Sequence, residues 1–416
     1  MRTMNATLRL VVVGALLLSG CSSEPRPASA ETPNGYRATI ELDGSGAGGF
    51  EVINTATKAV MRLPGGTFSP DGTRLFVTQL AHGVATLRAI DPRSGGVLLE
   101  KPISSPNFDG RAIISANGRW LVQAQPLPGP VTRIAIFDTG SLNERDISLG
   151  GAYELDAITN SGDVLYLLES LGPNQYRVRD YDVIGGQLDA TVIVDKSEAS
   201  PVMNGSRVAT ASSANGEKVF GLYQRPGKTP FVHVLWATQK LAWCVDLPEA
   251  ASLPGSSSPG WSLLLDEQRQ LLFVIHVAGV ISQIDISNVP RLMRTESFVP
   301  PSAAASSHLP WVKDAFAKGY ETALTSGRAA LSLDSQTLFI PARSGYVTVA
   351  SASLHPISRR ISGDSVSSLA ISRDGRRLFA VQPSANLLVE LDAASGRELG
   401  RFTISHPLAI LRVDAA

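Results

Sequence analysis

The six histidines are the first residues to consider for chemistry, because an imidazole can serve as a general base or as a metal ligand. They are spread one to a region, at His82, His233, His276, His308, His355 and His406. No two have the His-x-x-x-His spacing that places two metal ligands on one helix face. The chain also lacks a Gly-x-Ser-x-Gly turn and a Ser-x-x-Lys pair. The sequence therefore predicts no metal, no cofactor and no catalytic residue, and it leaves enzymatic activity uncertain.

Cys21 stands in a chemically informative position. Arg2 and Arg9 give the chain a positive start. The apolar run 10–18 would span about 14 Å as a helix, far less than the ~30 Å hydrocarbon core of a bilayer. Such a run is typical of a signal peptide and not of a permanent membrane span. It ends in Leu18-Ser19-Gly20-Cys21, where small residues precede a thiol that can accept diacylglycerol.

These four residues resemble the lipobox of bacterial lipoproteins. The resemblance implies a signal peptide over residues 1–20, an acylated Cys21 and a membrane anchor outside the cytoplasm. An ordinary signal peptide cut near residues 28–30 is the alternative. Ser22 and Ser23 replace the aspartate that commonly retains lipoproteins in the inner membrane. The expected location is thus the cell envelope: the outer membrane of a Gram-negative cell, or the outer face of a Gram-positive plasma membrane.

Composition divides and limits the rest of the chain. Residues 21–35 comprise the lipidated cysteine and a tether rich in Pro and Ala without an apolar period. Residues 36–416 remain to fold as one large domain. Basic and acidic residues number 37 each, so nucleic acid is not an expected partner. Cys244 has no second mature thiol and lies in an apolar strand, which favours a buried structural thiol.

A repeated hairpin runs through residues 36–416. Its clearest copies are 68–77, 114–122 and 371–380, each with Asp-Gly or Asn-Gly between two apolar strands. These dipeptides supply the positive φ that tight hairpins need. Weaker copies begin at Ile158, Ala211, Leu264 and Leu331.

A second element follows each hairpin, as an alternating strand that ends in Asp or Asn, a turn and one more strand. Good copies end at Asp91, Asp138, Asp285 and Asp392, and degenerate copies centre on Asp182, Ala237 and Ser351. Four strands at a period near 40 residues are typical of a β-propeller blade. The repeats at 67–103 and 366–404 resemble those of YVTN-type and WD40-like bacterial propellers, without the Trp-Asp signature of true WD40 repeats. A β-sandwich with coincidental hairpins is the alternative.

The two ends of the domain complement each other. Residues 36–42, 50–53 and 60–63 supply three strands without a first strand, and residues 408–413 supply a first strand with nothing after it. Joined, they would close the ring and leave no exposed edge at the seam. The prediction is an all-β, single propeller of eight blades, with seven as the alternative.

An insertion departs from the period between Val299 and Gly327. Apolar residues over 310–324 fall at helical spacing, which predicts a short amphipathic helix between blades. The helix would pack on the propeller or, alternatively, serve as a lid or partner-binding element.

Any small-molecule site should lie where the connectors into the first strands converge over the channel. The polar and aromatic residues of these connectors form a wider set, and six of them are the candidate ligand-binding residues: Arg111, Asp156, Arg207, Trp261, Arg328 and His406. Asp109, Glu154 and His308 complete the wider set. Arg and Asp side chains around a funnel could hold a carboxylate or a sugar. The alternative for each is a loop cap, an ion pair or a solvated side chain.

A propeller does not determine function, because unrelated activities share it. The absence of a catalytic motif and the membrane tether favour a binding or scaffolding module for a protein or a small ligand. The alternative is a propeller enzyme of the dehydrogenase type (quinoprotein or amine dehydrogenase-like) or of the lactonase type. The Trp-containing docking motif of quinoprotein dehydrogenases has only one approximate counterpart, at 237–243. An exposed apolar patch on the rim would favour the scaffold.

Overall fold

The protein is described from a computed structural model, and all the described residues belong to one compact unit, Asn34–Ala416. The structure describes residues 35–43, 48–104, 112–195, 200–225, 227–248, 260–277, 279–297, 329–342, 345–361 and 364–416. In these ranges no α-helix occurs, and the helical content is a 3-10 turn at Pro383–Ala385. No helix of the described residues is long and apolar enough to cross a membrane.

The strands form eight antiparallel sheets, which are the blades of a propeller. From inner to outer strand, blades 1 to 4 are: β4 (Thr67–Phe68), β5 (Leu75–Ala81), β6 (Val84–Ile90), β7 (Val97–Pro102); β8 (Ala112–Ile114), β9 (Trp120–Leu127), β10 (Val131–Asp138), β11 (Glu144–Gly150); β12 (Tyr153–Ile158), β13 (Val164–Gly172), β14 (Gln175–Asp182), β15 (Gln187–Ile193); β17 (Ser206–Ser212), β18 (Lys218–Gln224), β19 (Phe231–Trp236), β20 (Leu241–Asp246). A short strand between blades 3 and 4, β16 (Met203–Asn204), pairs with β14.

The remaining blades have the same order. Blades 5 to 8 are: β21 (Trp261–Asp266), β22 (Leu271–His276), β23 (Val280–Asp285), β24 (Arg291–Ser297); β25 (Ala330–Leu331), β26 (Thr337–Ala342), β27 (Gly345–Ala350), β28 (Pro356–Ile361); β29 (Ser368–Ile371), β30 (Arg377–Gln382), β31 (Leu387–Asp392), β32 (Glu398–Thr403); β33 (Pro407–Ala415), β1 (Tyr36–Leu42), β2 (Phe50–Asn54), β3 (Val60–Leu63). The eight-blade prediction is confirmed, and the seven-blade and sandwich alternatives are wrong.

The ring closes as the two chain ends predict. Strand β33 pairs antiparallel with β1, so that Ala38 lies opposite Val413 and Ile40 opposite Ile410. The Tyr36 hydroxyl donates a hydrogen bond to Asp374 Oδ2 of blade 7 over 2.8 Å. Burial and this carboxylate raise the pKa of Tyr36 to about 12. The closing blade is therefore bonded within its own sheet and to its neighbour.

The hydrophobic core is divided among the blade interfaces. Eight clusters of buried side chains are present in the described residues, and each joins two neighbouring blades. The cluster at the seam contains Phe50 and Leu63 of blade 8 together with Leu75 and Ile90 of blade 1. Since the strands of a blade are buried on both faces, their apolar residues do not follow a strict two-residue alternation.

The two ends of the propeller differ in their loops. We call the end formed by the turns between first and second strands and between third and fourth strands the hairpin face. These turns comprise residues 69–74, 115–119, 159–163, 213–217, 267–270, 332–336 and 372–376, and residues 54–59, 91–96, 138–143, 182–186, 237–240, 285–290, 351–355 and 392–397. The opposite end, the connector face, holds the turns between second and third strands and the segments that link the blades.

Hydrogen bonds join the turns of the hairpin face across blade boundaries. Asn160 Oδ1 accepts the backbone N–H of Asn117 over 2.9 Å, and its side-chain amide donates to Asn215 O over 2.7 Å. Arg269 donates to Ser335 O over 2.7 Å. At the seam, Arg412 donates to Asp71 O over 2.8 Å. Polar turn residues thus connect blades that the hydrophobic clusters already hold together.

Candidate functional site

Several predictions made from the sequence lie outside the described residues. These are the acylated Cys21, the connector residues Asp109, Arg111, His308 and Arg328, and the amphipathic helix over 310–324. Four of the six candidate ligand residues are described, namely Asp156, Arg207, Trp261 and His406.

The structure brings Asp156 and Arg207 together between the inner strands of blades 3 and 4, with Asp156 within β12 and Arg207 near the connector end of β17. Arg207 Nη1 donates to Asp156 Oδ1 over 2.9 Å, and Nη2 donates to Leu155 O over 3.1 Å. The Arg207 and Asp156 side chains are 9% and 7% exposed. Asp156 is the extra residue of a β-bulge in β12, which re-aims its side chain. This pair links the inner strands of two neighbouring blades.

Glu154 is the solvent-facing member of the same group. Its carboxylate lies 3.9 Å from Arg207 Nη2, and its side chain is 37% exposed. The three charged side chains therefore differ in their exposure to solvent: the Glu154 carboxylate is half-exposed, and the Asp156–Arg207 ion pair is almost buried. A ligand that approached along the channel would meet Glu154 first.

Aromatic and titratable side chains surround the buried pair. The rings of Tyr176 and Tyr223 stack with centroids 4.8 Å apart, and His233 lies 6.3 Å from Tyr223. Nε2 of His233 is buried without a hydrogen-bond partner among the described residues, and the hydroxyls of the two tyrosines are buried near each other. The cluster sits where the connector ends of blades 3 and 4 meet.

Burial controls the ionisation of these groups. Desolvation raises the pKa of Tyr176 and Tyr223 well above the ordinary value, and it lowers the pKa of His233. The nearby Asp156 carboxylate acts on all three groups. Since both tyrosines stay protonated and the buried imidazole is held neutral, the cluster supplies hydrogen-bonding groups and the charge remains on Asp156 and Arg207.

Trp261 is part of an inter-blade core. The residue is 2% exposed, and its indole lies 4.6 Å from the His276 ring on the adjacent strand. It packs with the apolar side chains that join blades 4 and 5. The described surface gives a ligand no direct route to this ring, and its predicted binding role stays a prediction.

His406 lies on the other side of the ring from the Asp156–Arg207 pair. It is exposed in the turn between β32 and β33, with a φ of 49°. Its carbonyl accepts the backbone N–H of Asp43 over 2.8 Å. Because blade 4 is separated from blade 8 by half of an eight-membered ring, His406 and Arg207 do not form one site.

Groups that could hold a metal do not converge among the described residues, where no three His, Cys, Asp or Glu side chains come together. Cys244 is half-buried, a correction to the buried thiol that its apolar strand suggests. It lies at the strand that forms the edge of blade 4, where its backbone N–H donates to Asp195 Oδ2 over 2.6 Å. Cys244 is only half-buried because it lies on the outer strand of blade 4, at the edge of the propeller.

A groove opens between blades 2 and 3 toward the hairpin face. Its volume is about 490 Å³, and its lining includes Trp120, Glu144, Arg145 and Ile184. The Arg119 guanidinium covers the Trp120 ring at 5.0 Å, and the indole packs on Gly162. The packing of Arg119, Trp120 and Gly162 thus fixes one side of the groove. The lining carries both acidic and basic residues, including Glu144 and Arg145.

The rim of blade 1 is unusually apolar. Thirteen large hydrophobic side chains are exposed in the described residues, and five of them belong to this blade: Leu80, Val84, Val97, Leu98 and Leu99. The last three are consecutive on β7, the outer strand, with exposures of 52%, 50% and 36%. The outer strand of the neighbouring blade 2, β11, instead begins with Glu-Arg-Asp. An apolar edge strand is a surface on which another chain can pack.

Sequence reasoning missed both the tyrosine–histidine cluster and the apolar rim. A signal for the first was present, because His233 interrupts an otherwise apolar strand, Phe231–Trp236. The signal for the second was weaker. Three consecutive apolar residues at 97–99 fit a buried strand as well as an exposed one, and only the position at the edge of the sheet distinguishes them.

Comparison with known proteins supports the fold. Neither a protein-family model nor a curated protein matches the chain. Among solved structures, the dihydro-heme d1 dehydrogenase NirN in complex with DHE is 16% identical, with a TM-score of 0.56, and the match covers 93% of this chain and 77% of that one. Apo AztD from Citrobacter koseri is 13% identical, with a TM-score of 0.54 and coverage of 92% and 98%. At these identities the similarity confirms the β-propeller fold and does not extend to activity.

Proposed function

We propose that the protein is an envelope lipoprotein whose propeller, built from YVTN-type repeats, is a scaffold for a protein partner. Cys21 holds it to the membrane outside the cytoplasm. The observation that carries the scaffold is the apolar rim of blade 1, because an exposed edge strand with Val97, Leu98 and Leu99 in succession is a site for strand addition or apolar packing.

The arrangement of the charged residues supports a protein partner over an enzymatic reaction. An enzyme would bring several of Arg111, Asp156, Arg207, Arg328 and His406 into one pocket. Of the three described members, Asp156 and Arg207 bond to each other in near-complete burial, and His406 lies across the ring. An ion pair already satisfied in this way serves to hold two blades together.

The partner site is tested by crosslinking intact membranes, purifying the protein and identifying what accompanies it by mass spectrometry. Wild type is compared with Leu98→Gln and with the matched control Ile357→Gln, which changes an apolar residue 61% exposed on the outer strand of blade 6. A stoichiometric protein should accompany wild type and the control. Its recovery should fall about tenfold with Leu98→Gln, since a buried apolar contact contributes roughly 1–2 kcal/mol.

Equal recovery with all three proteins would contradict the blade 1 site. A co-purifying small molecule with no protein would instead favour the dehydrogenase or lactonase alternative. The anchor is tested separately with Cys21→Ser, which should leave the propeller folded and release it from membranes washed with high salt, a wash that removes electrostatic binding and leaves acyl anchors in place. Retention of this variant in the salt-washed membranes would contradict the lipoprotein assignment.

A further inference from the structure

Exposed charge is divided unevenly around the hairpin face. In the turns of blades 7, 8, 1 and 2, the one exposed acidic side chain is Asp71, and six basic side chains are exposed: Lys58, Arg93, Arg119, Arg373, Arg376 and Arg397. In the turns of blades 3 to 6, the only exposed basic side chain is Lys240, and three acidic ones are exposed: Glu217, Glu267 and Asp334. We call the first group of turns the basic half of the hairpin face.

The acidic residues of the basic half accept backbone hydrogen bonds within their own turns. Asp91 accepts the backbone N–H of Arg93 over 2.8 Å, and Asp392 accepts that of Ser395 over 2.8 Å. These backbone hydrogen bonds lower the pKa of both carboxyls. Asp138 and Asp374 close two further turns in the same way. Two of the six basic side chains also lie near carboxylates, Arg119 at 3.6 Å from Asp138 and Arg373 at 3.3 Å from Asp414. The carboxylates are held close to the backbone by short side chains, so the longer basic side chains extend farther into solvent.

The chain enters the propeller in the middle of the basic half. Gly35 precedes β1 at the hairpin face of blade 8, where its carbonyl accepts the backbone N–H of Ala416 over 3.0 Å. Gly35 is the fourteenth residue after Cys21. The tether predicted for this segment from its composition would have a root-mean-square span of roughly 20 Å. An acyl group on Cys21 would therefore hold this face, and not the connector face, nearest to the bilayer.

We propose that the basic half of the hairpin face lies against an anionic lipid surface. The inference rests on the proposed acylation of Cys21 and goes beyond it, because it orients the molecule. With the hairpin face on the membrane, the connector face points away from it and the blade 1 rim stands at its side. Each basic side chain near an anionic surface strengthens binding about fivefold.

The experiment measures cosedimentation with vesicles of the unacylated chain from Ser22 onward, which keeps all eight blades. Vesicles of phosphatidylcholine alone are compared with equimolar phosphatidylcholine and phosphatidylglycerol. We expect binding to the anionic vesicles alone, weakened by added salt because exposed charges are screened. Arg93→Glu/Arg397→Glu should reduce binding at least about 20-fold, since it removes two such contributions and adds repulsion.

The control is Lys228→Glu/Arg294→Glu, which makes the same change of charge at exposed positions outside the basic half. It should bind as wild type does, and thermal unfolding should confirm that both variants are folded. Absence of phosphatidylglycerol-dependent binding would overturn the proposal, and so would equal losses in both variants. Leu98→Gln should bind vesicles normally, so failure of the partner site and failure of the lipid surface are distinguishable.

Discussion

At the scale of single residues, the Asp156–Arg207 pair shows how placement decides the role of a side chain. Sequence reasoning placed both residues in connectors over the channel; Arg207 lies at the connector end of β17, whereas Asp156 lies within β12. Their contact with each other depends on a β-bulge and on the packing of two blades, which no local pattern encodes. The sequence could thus predict the neighbourhood of the site, and not which of its residues would be buried.

Removal of the Asp156 carboxylate should destabilise the propeller. Asp156→Asn removes the buried carboxylate that bonds the Arg207 guanidinium at 2.9 Å, which costs about 3 kcal/mol or more in the free energy of unfolding. Glu154→Gln is the matched control, and it should change that free energy by less than about 1 kcal/mol because Glu154 is half-exposed and 3.9 Å away. Urea unfolding monitored by circular dichroism measures both. Equal losses would contradict the assignment of the buried pair.

Stability should depend on pH through His233. Burial lowers the pKa of His233 from 6.5, so the unfolded chain binds a proton near pH 6.5 that the folded chain does not bind. The free energy of unfolding should therefore fall as pH drops below about 6.5, by up to about 1.4 kcal/mol per pH unit from this group. His233→Phe and His233→Gln should both remove this contribution. The test compares urea midpoints at a series of pH values, and an unchanged slope in both variants would contradict it.

At the scale of elements, the hairpin turns were the most predictable part of the molecule. Ser69 accepts the backbone N–H of Arg74 over 3.0 Å and donates to Asp71 over 2.6 Å, and Ser372 makes the same two bonds in blade 7. Because all these contacts lie within six residues, the sequence suffices to predict them. The apolar outer strand β7 was not predictable in this way, since its exposure depends on the absence of a covering element.

Gly72 should be needed both for the conformation of its turn and for the contact between blade 1 and Arg412 of blade 8. Its φ is 66°, and a Cβ there would lie 0.9 Å from Nη1 of Arg412, whose guanidinium bonds to Asp71 O. Gly83 is the matched control, with a φ of 79° and open space around a Cβ. Both Gly→Ala changes incur about 1 kcal/mol of backbone strain, and Gly72→Ala should cost about 1 kcal/mol more because the seam contact is displaced. Thermal unfolding measures the difference, and identical losses would contradict the role of this contact.

At the scale of the whole molecule, ring closure was predictable and the distribution of surface character was not. Three strands without a first strand at one end and a lone first strand at the other can complete a blade only by pairing, and β33 pairs with β1. The apolar rim and the basic half of the hairpin face arise from residues far apart in sequence that the ring brings side by side. Such surfaces become visible only after the order of the blades is known.

The scaffold role is the central claim, and site-specific photocrosslinking in intact cells tests it most directly. A photoreactive phenylalanine derivative would replace Leu98 on the blade 1 rim in one strain and Ile357 on the blade 6 rim in another. Both positions are exposed on outer strands, at 50% and 61%. We predict a discrete adduct with one protein from position 98 and none from position 357. Equal adducts from both positions, or none from position 98, would contradict the account.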